Sequence, residues 1–278
     1  MKIVIIADAF ARDILGGGEL NNDELSKILS AKGHQVEEIH SHKVTTGYIN
    51  ANRDACFIVS NFINLSKECI VCLYDKKYII YEHDHKYLVT RNPAYYENYI
   101  APKSQIINRS FYKNARSVLC QSGFHKSIVE ANLRLDNIEN LSGNLWSVDS
   151  LDTMRILSKK QKSDRYAVMN SMIAHKNTID AKNYCEVKEK PYQLIKSDNY
   201  YEFLSMLGSC KGFVFFPKTP ETLSRVIVEA RMMGLSVITN KKVGATQEEW
   251  YKLKGESLIN RVVKMRHKIP NKVLEKFE

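Results

Sequence analysis

Residues 212–244 contain two glutamates whose spacing could support ligand chemistry. Glu221 precedes a predicted helix, and Glu229 lies two turns inside it. The free N–H groups and partial positive charge at a helix N-terminus favour an anion such as a diphosphate. Carboxylates bind phosphate poorly but accept hydrogen bonds from sugar hydroxyls. Together these groups suit a ligand that carries both a phosphate and a polyol.

The elements that must position these glutamates form a predicted strand–helix–strand unit. The apolar run 213–216 predicts a buried strand, and 223–233 has the apolar spacing of a helix. Gly234 is placed to end that helix, and the apolar run 235–238 predicts the next strand. This order is typical of a βαβ unit in a parallel sheet.

The spacing of Glu221, Glu229, Ala230 and Gly234 resembles the donor-site signature of retaining glycosyltransferases of family 4. The resemblance implies an α/β protein of GT-B-like fold, with two Rossmann-like domains whose parallel sheets face a central cleft. A helix that carries two ordinary surface glutamates is the alternative.

The resemblance also assigns roles in binding a nucleotide-diphosphate sugar donor. Glu229 is implied to bind the nucleotide ribose, and Glu221 to face the donor sugar as a catalytic residue. The donor diphosphate is implied to be held by the backbone amides of Thr222, Leu223 and Ser224.

Lys176 matches a lysine that the family places on the donor diphosphate. The family usually carries an arginine a few residues earlier, but Asn170 or Ser171 stands at that position here. Arg225 and Arg231 are the candidates to supply the missing positive charge. An ordinary surface lysine is the alternative interpretation of Lys176.

A glycine-rich segment, residues 16–18, follows the first predicted strand and opens a predicted helix. It matches neither a G-x-G-x-x-G fingerprint nor a Walker pattern. Because it is similar to the N-terminal unit of the family, we assign the amides of Gly17 and Gly18 to donor binding. A flexible turn is the alternative.

Two histidines follow the predicted strand 78–81, at the end where ligands bind in open α/β sheets. The resemblance implies that His83 lies near the transferred sugar as a catalytic residue. His85 is its alternative counterpart and is otherwise assigned to the acceptor side. Tyr95 and Tyr96 are also assigned there, because tyrosine rings can stack on sugars while their hydroxyls form hydrogen bonds. Packing residues are the alternative for both tyrosines.

The chain of 278 residues, with 44% hydrophobic and 26% charged residues, has the composition of a globular protein of two domains. We predict an acceptor-side domain over 1–147 and a nucleotide-sugar-binding domain over 148–278, with the last helix packing back on the first domain. Two helices are predicted over 247–254 and 258–265, the second ending before Pro270. Without an apolar run near 20 residues, the chain is expected to be cytoplasmic.

The formal net charge of +10 favours anionic partners. Much of it lies in residues 251–278, which form either a solvated helical face or a weak contact with an anionic membrane surface. The six cysteines include one C-x-x-C without a second pair, so zinc is not expected. Several cysteines lie inside apolar runs, which fits buried free thiols better than a disulfide framework. No metal or other cofactor is expected.

The resemblance and these patterns together lead to three hypotheses for the function. The first is a metal-independent, retaining glycosyltransferase that moves a sugar from a nucleotide-diphosphate sugar to a glycan, lipid-linked or other acceptor. The second is a sugar-nucleotide epimerase of the same fold, which needs a general acid and base. The third is a non-catalytic protein that binds nucleotide or nucleic acid. Nucleic acid is the less favoured partner because no recognition motif accompanies the basic residues.

Overall fold

The computed structural model describes all residues from Met1 to Glu278, and they form two compact units. The first unit comprises residues 1–145 and 266–278, and the second comprises residues 146–265. Each unit is built around its own parallel sheet.

The first unit contains six strands and five helices, followed by the end of the last helix. They are β1 (Lys2–Ala7), α1 (Gly17–Ala31), β2 (Gln35–His40), α2 (Thr46–Ala51), β3 (Cys56–Val59), α3 (Lys67–Cys72), β4 (Lys77–Tyr81), α4 (Arg109–Asn114), β5 (Val118–Cys120), α5 (Gly123–Leu133) and β6 (Ile138–Asn140). The sheet order is β2-β1-β3-β4-β5-β6, with every neighbouring pair parallel. The inner strands β1 and β3 are uninterrupted apolar runs because parallel sheets are covered on both faces.

The second unit contains four strands and four complete helices. They are α6 (Val148–Lys159), β7 (Ser163–Met169), α7 (Thr178–Val187), β8 (Tyr192–Ile195), α8 (Tyr200–Gly208), β9 (Cys210–Phe215), α9 (Arg225–Met232) and β10 (Ser236–Thr239). The sheet order is β10-β9-β7-β8, again with all pairs parallel. Helices α6, α8 and α9 pack against one another, whereas α7 packs on β7 and β9.

The last helix, α10 (Glu256–Glu275), begins in the second unit and ends in the first. The prediction that a helix would end before Pro270 is wrong, because α10 continues through this proline. Buried Ile269 and Val273 extend the apolar stripe of the helix across it, and this packing offsets the backbone hydrogen bond that proline cannot donate. The predicted helix 247–254 is also wrong, since two 3₁₀ turns, Gly244–Gln247 and Glu249–Lys252, occupy this segment.

Several cations of the basic tail are paired within the first unit. Lys276 lies 2.6 Å and Lys272 3.4 Å from carboxylate oxygens of Glu139, and Arg266 pairs with Glu24. None of the helices combines the length and the apolar composition that crossing a membrane requires. All six cysteines are free thiols.

Candidate functional site

The βαβ unit predicted over residues 212–244 is confirmed as β9, α9 and β10. The two strands pair in parallel from Gly212 with Ser236 to Phe215 with Thr239. Gly234 has a φ of +84° just beyond the helix, a conformation that glycine adopts without strain. Helix α9 begins at Arg225 rather than at the predicted residue 223, because the N-cap residue Ser224 has a left-handed φ of +71°.

Ser224 leaves a polar group unsatisfied at the N-terminus of α9. Its side chain does not cap the helix, although serine commonly does so at this position. The residue is 8% exposed, and its hydroxyl oxygen has no hydrogen-bond partner. Since a buried hydroxyl without a partner costs free energy, this oxygen marks a place where a ligand or water would bind.

Lys176 and Glu221 are brought together although 45 residues separate them. The Lys176 ammonium donates a hydrogen bond of 2.8 Å to Glu221 Oε1, and both side chains are largely buried. Glu221 is held by its own backbone, which donates to the Lys242 carbonyl and accepts from Gly244 N–H. Each residue follows a strand at its carboxyl end, β7 for Lys176 and β9 for Glu221, which is where open parallel sheets bind ligands.

Glu229 is buried within the second unit, where three side chains contact its carboxylate. These contacts were not predicted from the sequence. Its Oε1 accepts hydrogen bonds from Trp146 Nε1 at 2.9 Å and from the Tyr200 hydroxyl at 2.7 Å. Arg225, one turn earlier, lies 3.6 Å from the same oxygen and stacks over the Trp146 ring at 4.4 Å. Only 3% of Glu229 is exposed.

The two arginines considered as replacements for the missing charge have different surroundings. Arg231 donates to three backbone carbonyls, those of Tyr251, Lys252 and Leu253, at 2.9–3.2 Å. Its guanidinium is therefore committed to holding that segment. Arg225 directly follows the N-cap of α9 and is the nearer in sequence to the helix N-terminus.

In the first unit, the glycine-rich segment lies against His83. Gly17 and Gly18 form the first turn of α1, with Gly16 as N-cap. A Cβ atom added to Gly18 would lie 3.2 Å from His83 Cγ, so a residue without a side chain permits this approach. The His83 ring also stacks on Tyr81, with ring centroids 4.8 Å apart.

Both ring nitrogens of His83 contact neighbouring amide side chains. Nε2 lies 2.8 Å from Asn22 Oδ1, and Nδ1 contacts Gln121 Nε2. Asn144 in turn donates to Gln121 Oε1 at 3.1 Å. These contacts fix the orientation of the ring. Asn22 is fully buried and its amide nitrogen has no hydrogen-bond partner, which is typical of a place for an ordered water.

A buried group of charges lies directly after β4, in the segment that carries both histidines. Lys86, 2% exposed, donates to the carboxylates of Glu82 and Asp84, and Glu82 also accepts from the Tyr112 hydroxyl. Burial raises the pKa of Glu82 to about 7. Although burial opposes it, the two carboxylates raise the pKa of Lys86, which therefore stays protonated.

Comparison with known proteins identifies the fold. No protein-family model matches the chain, and no curated protein matches it by sequence. Among solved structures, Anabaena HepE in complex with UDP-glucose is similar over 100% of this chain and 91% of its own, with a TM-score of 0.53 and 13% identity. UDP-GlcNAc 2-epimerase of Methanocaldococcus jannaschii covers 96% of this chain and 93% of its own, with a TM-score of 0.53 and 13% identity. An alpha-glucosyltransferase in complex with UDP and DNA covers 100% of this chain and 94% of its own, with a TM-score of 0.50 and 12% identity.

The chain has a GT-B-like fold. Its two parallel-sheet α/β units, of six and four strands, confirm the predicted fold class. In this GT-B-like chain the second unit contains Lys176, Glu221, Ser224 and Glu229, whereas the first contains the glycine-rich segment and His83.

The residues assigned to the acceptor side differ in exposure. His85 is 3% exposed, and its Nδ1 lies 2.9 Å from the Tyr87 hydroxyl. Tyr95 is 71% exposed, whereas Tyr96 packs against the core of the first unit and bonds Gln105 through its hydroxyl. The acceptor roles of His85, Tyr95 and Tyr96 stay predictions.

A pocket of the second unit adjoins the Lys176–Glu221 pair: its lining contains Asn177, which directly follows Lys176, and Lys242, whose carbonyl accepts from Glu221 N–H. Its volume is about 550 Å³, and none of the residues assigned above to donor binding lines it. Its walls come from α7 and from the segments that follow β9 and β10, including Tyr184, Phe216 and Lys218. The Lys176–Glu221 pair unites charge, partial burial and a position at the carboxyl end of the sheet, which together are typical of a ligand-binding site.

Proposed function

We propose that this GT-B-like chain is a retaining, metal-independent glycosyltransferase that uses a nucleotide-diphosphate sugar. The observation that carries the proposal is the Lys176–Glu221 ion pair, which lies beyond the carboxyl ends of β7 and β9. Ser224, three residues after Glu221, has a hydroxyl oxygen without a hydrogen-bond partner. A cation and the backbone amides just before a helix suit a diphosphate, and a carboxylate suits a sugar hydroxyl.

The ion pair suggests how a donor would be bound. The Glu221 carboxylate lies 2.8 Å from the Lys176 ammonium, so this cation is already placed beside an anionic group. On binding, the donor diphosphate would contact Lys176 and the amides of Thr222, Leu223 and Ser224, and Glu221 would accept from a hydroxyl of the sugar. These groups would stabilise the negative charge that develops on the leaving diphosphate as the bond to the sugar breaks.

The roles of the other predicted residues follow from this scheme. Glu229 would accept from the ribose, and Gly17 and Gly18 would present backbone amides in the first unit. Because both ring nitrogens of His83 already contact Asn22 and Gln121, His83 would shape the surface of the first unit beside the glycine-rich segment rather than transfer a proton through its ring.

Uridine diphosphate sugars are the first donors to test, because HepE and the alpha-glucosyltransferase were each solved with UDP or UDP-glucose. For the acceptor we propose a glycan or a lipid-linked sugar. Exposed Lys264 and Lys268 of α10 could give weak contact with an anionic membrane surface. Loss of binding to anionic vesicles in a Lys264→Glu/Lys268→Glu variant would support this contact, and unchanged binding would exclude it.

The proposal is tested by screening the purified protein against UDP-, GDP- and ADP-sugars. We expect at least one to raise the melting temperature and to be consumed in the presence of an acceptor, with EDTA leaving the rate unchanged. NMR of the product should show the anomeric configuration of the donor. If no sugar nucleotide raises the melting temperature or is consumed, the proposal fails.

The similarity to an epimerase keeps a second function open. An epimerase would convert a sugar nucleotide without any acceptor and would release no nucleoside diphosphate. A transferase would release the diphosphate in proportion to the glycoside formed. Transfer to DNA, the molecule bound in the alpha-glucosyltransferase complex, is a further outcome that the acceptor screen would detect.

A further inference from the structure

Three side chains converge on one oxygen of Glu229. Trp146 and Tyr200 donate hydrogen bonds of 2.9 and 2.7 Å to Oε1, and the Arg225 guanidinium lies 3.6 Å from it. The three come from different parts of the second unit: the residue at its start, the first residue of α8 and the first residue of α9.

This arrangement fixes a side chain that would otherwise be mobile. A glutamate has several rotatable bonds, and ordering them for a ligand costs free energy at the time of binding. When Oε1 is held by two donors, the plane of the carboxylate is set and the direction of Oε2 follows. A ribose hydroxyl would then donate to Oε2, whose direction is set by the two bonds to Oε1 before the ligand binds.

We propose that Trp146 and Tyr200 are positioning residues, which orient the Glu229 carboxylate toward the ribose hydroxyls and thereby set a preference for ribonucleotides over deoxyribonucleotides. This inference rests on the proposed function, in which Glu229 accepts from the ribose. Tyr200 can serve as a donor at neutral pH, because burial and the nearby Glu229 carboxylate raise the pKa of its hydroxyl well above the usual range.

A purely structural role predicts a different result. If the two donors only satisfied a buried carboxylate, removing one would lower stability, or would weaken binding of every nucleotide by the same factor. If they orient an acceptor for the ribose, removing one should weaken the ribonucleotide alone. The ratio of the two affinities is therefore the informative quantity, since it is unaffected by any loss of folded protein.

The test compares the wild type with Tyr200→Phe, which removes one hydroxyl and keeps the ring. Tyr201→Phe is the matched control, because Tyr201 is 43% exposed and does not bond Glu229. Calorimetry would measure the dissociation constants of UDP, GDP and ADP, then those of the 2′-deoxy and 3′-deoxy forms of the tightest binder.

We expect the wild type and Tyr201→Phe to prefer the ribonucleotide by about tenfold or more, the range of a hydrogen bond to a charged group. In Tyr200→Phe the preference for the ribonucleotide over its deoxy form should fall to about threefold or less, mainly because the ribonucleotide binds more weakly. Trp146→Phe should lower this preference as well. If Tyr200→Phe still binds UDP, GDP or ADP and its ratio of ribonucleotide to deoxyribonucleotide affinity is unchanged, the positioning role is overturned. The proposed function would not be affected by that result. If none of the nucleotides binds the wild type, the proposed function fails as well.

Discussion

Replacing Gly18 by alanine tests the close approach of the glycine-rich segment to His83. An alanine Cβ would lie 3.2 Å from His83 Cγ and 3.4 Å from His83 Cβ and Cδ2. The ring cannot easily yield, because Tyr81 stacks on it and Asn22 and Gln121 contact its nitrogens. Overpacking of this kind costs about 1–3 kcal/mol, whereas alanine in place of glycine in a helix gains about 0.5–1 kcal/mol. We therefore expect a net destabilisation of up to roughly 2.5 kcal/mol, and no gain in stability.

Gly47 provides a matched control. Both glycines are the second residue of an α-helix, Gly18 in α1 and Gly47 in α2. A Cβ atom on Gly47 would meet only the Thr45 hydroxyl oxygen, at 3.8 Å. Gly47→Ala should accordingly raise stability by about 0.4–1 kcal/mol. Urea unfolding followed by circular dichroism would measure both changes, and an equal gain in the two variants would refute the contact with His83.

Three further predictions concern charged residues. Arg231→Met should lower the stability of the second unit by about 2 kcal/mol, since three carbonyls lose a charged donor, and should leave nucleotide affinity unchanged in a calorimetric titration. Weaker nucleotide binding in this variant would contradict the structural role. Lys86→Met should destabilise the first unit by about 3–5 kcal/mol in urea unfolding near neutral pH, because the buried Glu82 loses its cation. Since the folded-state pKa of Glu82 is raised, the deficit should be smallest below its unfolded pKa and should grow as pH rises through about 7. A deficit that shrinks toward pH 8 would contradict this, and adding Glu82→Gln to Lys86→Met should restore part of the loss.

Elements with strong local patterns were predictable from the sequence. The apolar runs 3–7, 56–59 and 213–216 predict strands of buried parallel sheets, and they correspond to β1, β3 and β9. Serine is a favoured N-cap residue, and Ser122 accepts a hydrogen bond from His125 N–H as the N-cap of α5. The apolar run 68–73 is too short for its pattern to distinguish a helix from a strand, and most of it lies in the helix α3, which Ser66 caps.

Features that depend on distant contacts were not predictable. No local pattern connects Trp146 or Tyr200 with Glu229, from which they are separated by 83 and 29 residues. The one available signal was the position of Tyr200 at the start of a helix after β8, where ligand-binding loops occur. Likewise, the passage of α10 through Pro270 depends on burial of its apolar stripe, which outweighs the local preference of proline.

The central claim is that the N-terminus of α9 and Lys176 bind the diphosphate of a sugar nucleotide. Calorimetric titration of the wild type and Lys176→Met with UDP-glucose and with uridine tests it most directly. We expect UDP-glucose to bind the variant roughly tenfold or more weakly, because a charge-assisted contact is lost, while uridine binds both proteins equally. The claim would be contradicted if both proteins bound UDP-glucose with equal affinity. It would also be contradicted if Lys176→Met lost as much affinity for uridine as for UDP-glucose.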